Sequence, residues 1–131
     1  MRFALPALAG AALLALAPVN AAPEPAAAQM AKALEGRTAG EPVKCLNLRD
    51  IRSTQIIKGT AILYETNGGV IYVNTPRGGA QSLDKWDVLV TNTHSSQLCS
   101  IDVVRLYDTS SRIQTGFVNL GEFVPYRKAK S

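Results

Sequence analysis

The chain has 131 residues, 47% hydrophobic, 6% aromatic and 18% charged, with ten glycines, seven prolines and two cysteines; this length holds one small globular domain and excludes a multidomain enzyme. Arg2, Arg127, Lys128 and Lys130 sit at the two ends and carry the whole net charge of +4, so the rest of the chain is neutral. A body that interleaves its bases with acids lacks the clustered Lys and Arg that neutralise a run of phosphates, which excludes nucleic acid from the expected partners.

Residues 1–22 carry one positive charge, an uncharged apolar run from Phe3 to Ala17, and small residues up to Ala21 and Ala22. That is the pattern of a secretory signal peptide, with cleavage expected after Ala21 or Ala22. Pro6, Gly10 and Pro18 interrupt a run already shorter than the roughly 20 apolar residues of a helical membrane span, so no membrane span is expected. No cysteine lies near the cleavage position to carry a lipid. The processed chain, about 110 residues, hides about two-thirds of its unfolded surface on folding, enough for one core with no cofactor. Its expected location is periplasmic or secreted.

Export gives the cysteines a meaning. In an oxidising compartment two cysteines pair, and Cys45 and Cys99 are 54 residues apart. Closing a loop of that length stabilises by roughly 4 kcal/mol through the entropy of the unfolded chain. The spacing is not the Cys-x-x-Cys of a redox pair.

Residues 23–42 hold two prolines, the alanine-rich stretch Ala26 to Leu34, and a Gly- and Pro-containing run to Pro42. Alanine favours helix, but isolated helices this short are marginal in water, so a flexible or weakly helical linker is expected. It lacks the bulky apolar face of a membrane-surface helix.

From residue 43 to residue 126 the texture changes to β-branched and aromatic runs bounded by turn residues, the mark of a β domain. Thr60 to Thr66 and Val70 to Thr75 flank Asn67-Gly68, the strongest local hairpin signal. A two-residue loop would set Tyr64 against Ile71 and Ile62 against Val73, giving one apolar face and one mixed face carrying Tyr72; a three-residue loop would set Tyr64 against Tyr72 and mix both faces. Period-2 burial favours the first. Lys58-Gly59 turns a strand at Thr54 to Ile57 into this hairpin, predicting a three-strand meander. Pro76 to Asp84 reads as the longest loop. Strands follow at Trp86 to Thr93, Ile101 to Tyr107 and Gly116 to Val124, the last with Gly121 as a bulge. Six or seven short strands predict an all-β, antiparallel sandwich or partly open barrel. Residues 127–131 read as a solvated basic tail.

The segments Gly36 to Gly40, Cys45 to Ser53, Gly59 to Tyr64 and Ser96 to Ser100, within about residues 36 to 126, resemble small exported alphaproteobacterial proteins of the sphingomonad type, of unknown function. The resemblance implies a periplasmic β domain and carries no activity or ligand with it. Some related domains have a second cysteine pair, which this chain lacks.

Candidate chemistry is sparse. His94, the sole histidine, precedes Ser95 and Ser96, but adjacent strand residues point to opposite faces and no Gly-x-Ser-x-Gly turn presents a serine. Asp84 and Asp87 could form an acid and base pair, or they are turn formers. Calcium needs more oxygen ligands and zinc more histidines and cysteines, so no metal or cofactor is expected. Gly68-Gly69 and Gly78-Gly79 lack the helix start and lysine of a phosphate cradle. Aromatic residues at alternate strand positions read as core, with Tyr72 and Trp86 as the exceptions that could form a contact surface, together with Arg77, Asp84 and Asp87 in and beside the long loop. The function expected is an exported, noncatalytic binding or envelope-associated β domain whose partner is a protein or envelope component. The alternative is a small periplasmic enzyme using the loop carboxylates.

Overall fold

A computed structural model describes residues 24–129; the signal expected at 1–22 and the tail end at 130–131 lie outside the described residues. In chain order the elements are α1 (Ala26–Ala33), β1 (Arg37–Ala39), β2 (Cys45–Asn47), β3 (Ile51–Ile57), β4 (Ala61–Thr66), β5 (Ile71–Asn74), β6 (Asp87–Thr91), β7 (Gln97–Cys99), β8 (Val103–Asp108), β9 (Gln114–Asn119) and β10 (Phe123–Lys128). They build three antiparallel sheets: five strands in the order β1-β10-β5-β4-β3, three in the order β6-β8-β9, and the ribbon β2-β7. The fold is all-β and sandwich-like, as the strand spacing predicts. The strands beyond the expected six or seven are the three-residue β1, β2 and β7, and β10, which arises because Gly116 to Val124 divides between two sheets.

The meander β3-β4-β5 is present, but its hairpin takes the register of a three-residue loop. Tyr64 pairs with Tyr72, Leu63 with Val73 and Ile62 with Asn74. The Thr66 amide donates to the Val70 carbonyl at 3.0 Å, and Gly69 sits at φ 82°, the left-handed conformation that closes a type I turn of this length. The expectation of one wetter face fails because both faces are covered. On the inner side Ile56, Ile62 and Tyr64 join Leu98, Val104, Leu106, Val118 and Phe123 in the main core. On the outer side Ile57, Ala61, Leu63, Ile71 and Val73 form a second core under Ala26, Met30, Ala33 and Leu34 of the N-terminal segment. With an apolar cover on each side, burial no longer selects one register, and the turn decides it.

The alanine-rich stretch is therefore helical and docked, not a free tether. Arg37 anchors the chain after it, its guanidinium donating to the carbonyls of Gly69 (2.7 Å) and Tyr126 (3.1 Å), and β1 pairs with β10 as far as Arg37 opposite Lys128. Arg127 and Lys128, expected in a solvated tail, thus belong to a strand.

Between β9 and β10 the chain leaves the three-stranded sheet for the five-stranded one. Gly121 stands at this crossing, where a Cβ would collide with the Thr75 carbonyl. Asn74, fully buried, accepts from the Gly121 amide (2.8 Å) and donates to its carbonyl (2.7 Å). One side-chain amide thus satisfies both backbone groups that the change of sheet leaves without a ladder partner. Cys45 and Cys99 are directly opposed in the β2-β7 register and form a disulfide, Cα to Cα 4.0 Å. Among the described residues no helix is long and apolar enough to cross a membrane.

Candidate binding surface

The register of the three-stranded sheet sorts its side chains by alternation, with one shift on β9 opposite Leu106 and Tyr107. Leu89, Val104, Leu106 and Val118 point inward to the main core. The alternate positions share the outward face: Val88 beside Tyr107, and Val90 beside Arg105 beside Phe117, with Val103 one step along. This face is exposed. Phe117 is 52% accessible, and Val88, Val90 and Val103 lie between 41% and 45%. At its end Trp86 is 73% accessible with the Lys85 ammonium 4.9 Å from its ring centroid, and Ile113 projects from the β8-β9 turn at 62%. Singly exposed apolar residues are ordinary; several on one face around a single arginine mark a contact surface.

Of the expected site residues, Trp86, Asp84 and Asp87 line one cleft, while Tyr72 and Arg77 lie apart from it. Trp86 is beside this surface, immediately before β6, in the cleft that it shares with Asp84 and Asp87. Tyr72 is not: the register puts it beside Tyr64 on the inner side, half-buried and packed against the main core. It also lines a separate cleft with Asp50 and Asn67. Arg77 is committed to backbone, donating to the carbonyls of Leu120 (2.9 Å) and Ser100 (2.7 Å), and so fastens the long loop to the strands beside it.

Asp84, Asp87 and Asp108 line one open cleft with Trp86 and Thr115, and each has a structural partner. Asp84 accepts from the Trp86 amide (3.0 Å), the short-range bond of an Asx turn. Asp87 accepts from the Thr115 hydroxyl (2.9 Å). Asp108 accepts from the Ser110 amide (2.9 Å) and hydroxyl (2.8 Å), and these bonds hold its carboxyl below the usual range, in the ionised form. His94 is exposed in the loop after β6. Among the described residues no group of three or more His, Cys, Asp or Glu is placed to hold a metal.

Val88, Val90, Val103 and Phe117 were missed by a reading that assigns one face of each strand to the core. The signal was in Val88-Leu89-Val90, Val103-Val104 and Phe117-Val118, where neighbouring residues on opposite faces are both apolar. Such a strand is covered twice or exposes an apolar face, and here it does the second. Comparison of the chain with family models, curated proteins and solved structures finds no match.

Proposed function

We propose that the protein is an exported, noncatalytic binding module of the cell envelope that holds its partner on the outward face of β6-β8-β9. The observation that carries the reading is the exposure of Val88, Val90, Val103 and Phe117 together on that face, with Trp86 at its end. An apolar face costs solubility when it serves nothing, and contact surfaces are where such faces are kept. Export is supported by the signal pattern at residues 1–22 and by the Cys45–Cys99 disulfide, which persists in an oxidising compartment. The noncatalytic reading is supported by the occupation of Asp84 and Asp87 in local hydrogen bonds.

The test is co-sedimentation of the purified exported protein with washed envelopes. The wild type is expected to pellet and the double variant Val90→Asp, Phe117→Asp to remain in the supernatant. Circular dichroism shows whether the variant is folded, since both positions are solvent-facing. Equal pelleting of the two folded proteins sinks the proposal.

A further inference from the structure

β3 and β6 are the free edges of two different sheets, and they lie alongside each other in antiparallel sense. At one end the Gly59 amide donates to the Leu83 carbonyl (3.0 Å); at the other the Leu48 amide donates to the Ser96 carbonyl (2.9 Å). Those two ties set Thr54–Ile56 across from Asp87–Leu89. Yet between the ties β3 has only β4 as a ladder partner and β6 only β8. The same residues, Thr54–Ile56 and Asp87–Leu89, are the walls of a cleft of about 440 Å³, with Gln29 and Lys85 at its rim. The two edges are an antiparallel pair held at its ends and parted in its middle.

The volume of the gap is that of a short run of extended chain. With strands about 4.8 Å apart, about 10 Å from face to face and about 3.3 Å of rise, a residue in a sheet takes up roughly 160 Å³. The cleft therefore holds about three residues, the number that each wall supplies. Other edges of the fold are blunted: β1 is three residues long, and β9 is capped by the Gly78–Asn119 bridge. β6 has no lysine, proline or bulge among its five residues, and its single charge is Asp87 at the first position, so the edge from Val88 onward is of the kind that pairs with another chain.

We propose that this seam takes an extended segment of a partner polypeptide by strand addition to β6, a site along the sheet edge that meets the outward face at Val88. Main-chain donors and acceptors along an edge are matched by another extended backbone, which gives this mode its affinity, while the pockets below give selectivity. Ile56 and Leu89 border the core beneath the cleft, so every second residue of the segment is apolar and the residues between are polar. A second copy of this chain does not fit: its own β6 would bring β8 and β9 with it into a cleft of about 440 Å³.

Random heptapeptides on phage, panned against the exported protein with its disulfide intact, test this, with enriched sequences then made as synthetic peptides. The expected peptides alternate apolar and polar residues. Their binding slows amide exchange at Leu89, whose amide faces the seam while those of Val88 and Val90 face β8, shifts the amides of Thr54 and Ile56, leaves Val103 and Phe117 unmoved, and is lost in the folded variant Thr54→Lys, Gln55→Lys, whose two positions are exposed. Any of four results overturns the proposal: exchange at Leu89 already slow in the free protein, shifts centred on Val103 and Phe117, no enrichment beyond that of the double variant, or self-association through β6.

Discussion

Two buried polar side chains of similar depth carry opposite expectations. The Tyr64 hydroxyl is buried with no hydrogen-bond partner, its ring set edge-on to Phe123 at 5.6 Å. Removing an unpaired hydroxyl gives up no bond, so Tyr64→Phe is expected to change stability at neutral pH by less than about 1 kcal/mol, toward greater stability. Burial pushes the Tyr64 pKa far above the ordinary tyrosine value. A folded-state value raised above the unfolded one contributes stability below about pH 10 that is lost as pH rises, at up to roughly 1.4 kcal/mol per pH unit, because the unfolded chain ionises first. Urea melts between pH 9 and pH 11 should show a steeper fall for wild type than for the phenylalanine variant; parallel curves contradict this. Asn74 is the reverse case. Its amide serves both backbone groups of Gly121, and Asn74→Ala strands them in the interior, a loss of roughly 2 to 4 kcal/mol, read from the same melts.

Among the elements, α1 is the one whose role differs most from its sequence signal. Nothing in Ala26–Ala33 announces a docking face except Met30, with Leu34 just beyond it, and both pack on the second core. Met30→Asp puts a charge against that core and is expected to cost about 1 to 3 kcal/mol. Amide exchange in α1 should then approach that of a free peptide while β8 keeps its protection; unchanged protection of α1 would show that the contact holds nothing. The helix also explains why the β4-β5 hairpin was legible only in part. Asn67-Gly68 and the flanking β-branched runs identify its strands and turn. The pairing depended on whether Leu63 and Val73 faced water, and that is decided by a helix some thirty residues upstream. The outward face of β6-β8-β9 was obscured for the complementary reason: Val88-Leu89-Val90 reads alike whether one side or both are covered, and no local rule tells which. The β9-β10 crossing was similarly hidden, because Gly121 reads as a bulge until Asn74 arrives opposite it. Cysteine pairing, by contrast, followed from the count of two and the export expected from residues 1–22.

At the scale of the molecule the disulfide has a position as well as a loop length. β2 leads through the turn Leu48–Asp50 into β3, and β7 follows the loop after β6, so the Cys45–Cys99 bond fastens the two sheets together at the end where Leu48 meets Ser96. The ribbon it staples has three residues per strand, too few to hold by ladder hydrogen bonds alone. Cys45→Ser with Cys99→Ser is therefore expected to remove the roughly 4 kcal/mol of loop entropy, a large share of the about 5 to 15 kcal/mol typical of a domain. The loss should not be uniform. Amides of β2 and β7 and the start of β3 should lose protection first, while the β8-β9 pair, braced by Val104, Leu106 and Val118 in the main core, opens only with the whole fold. Urea midpoints of the two proteins measure the total, and amide exchange maps its place. A double variant with an unchanged midpoint would mean that the ribbon is held by its packing around Leu46 and Leu98, and that the bond adds nothing to the joining of the sheets.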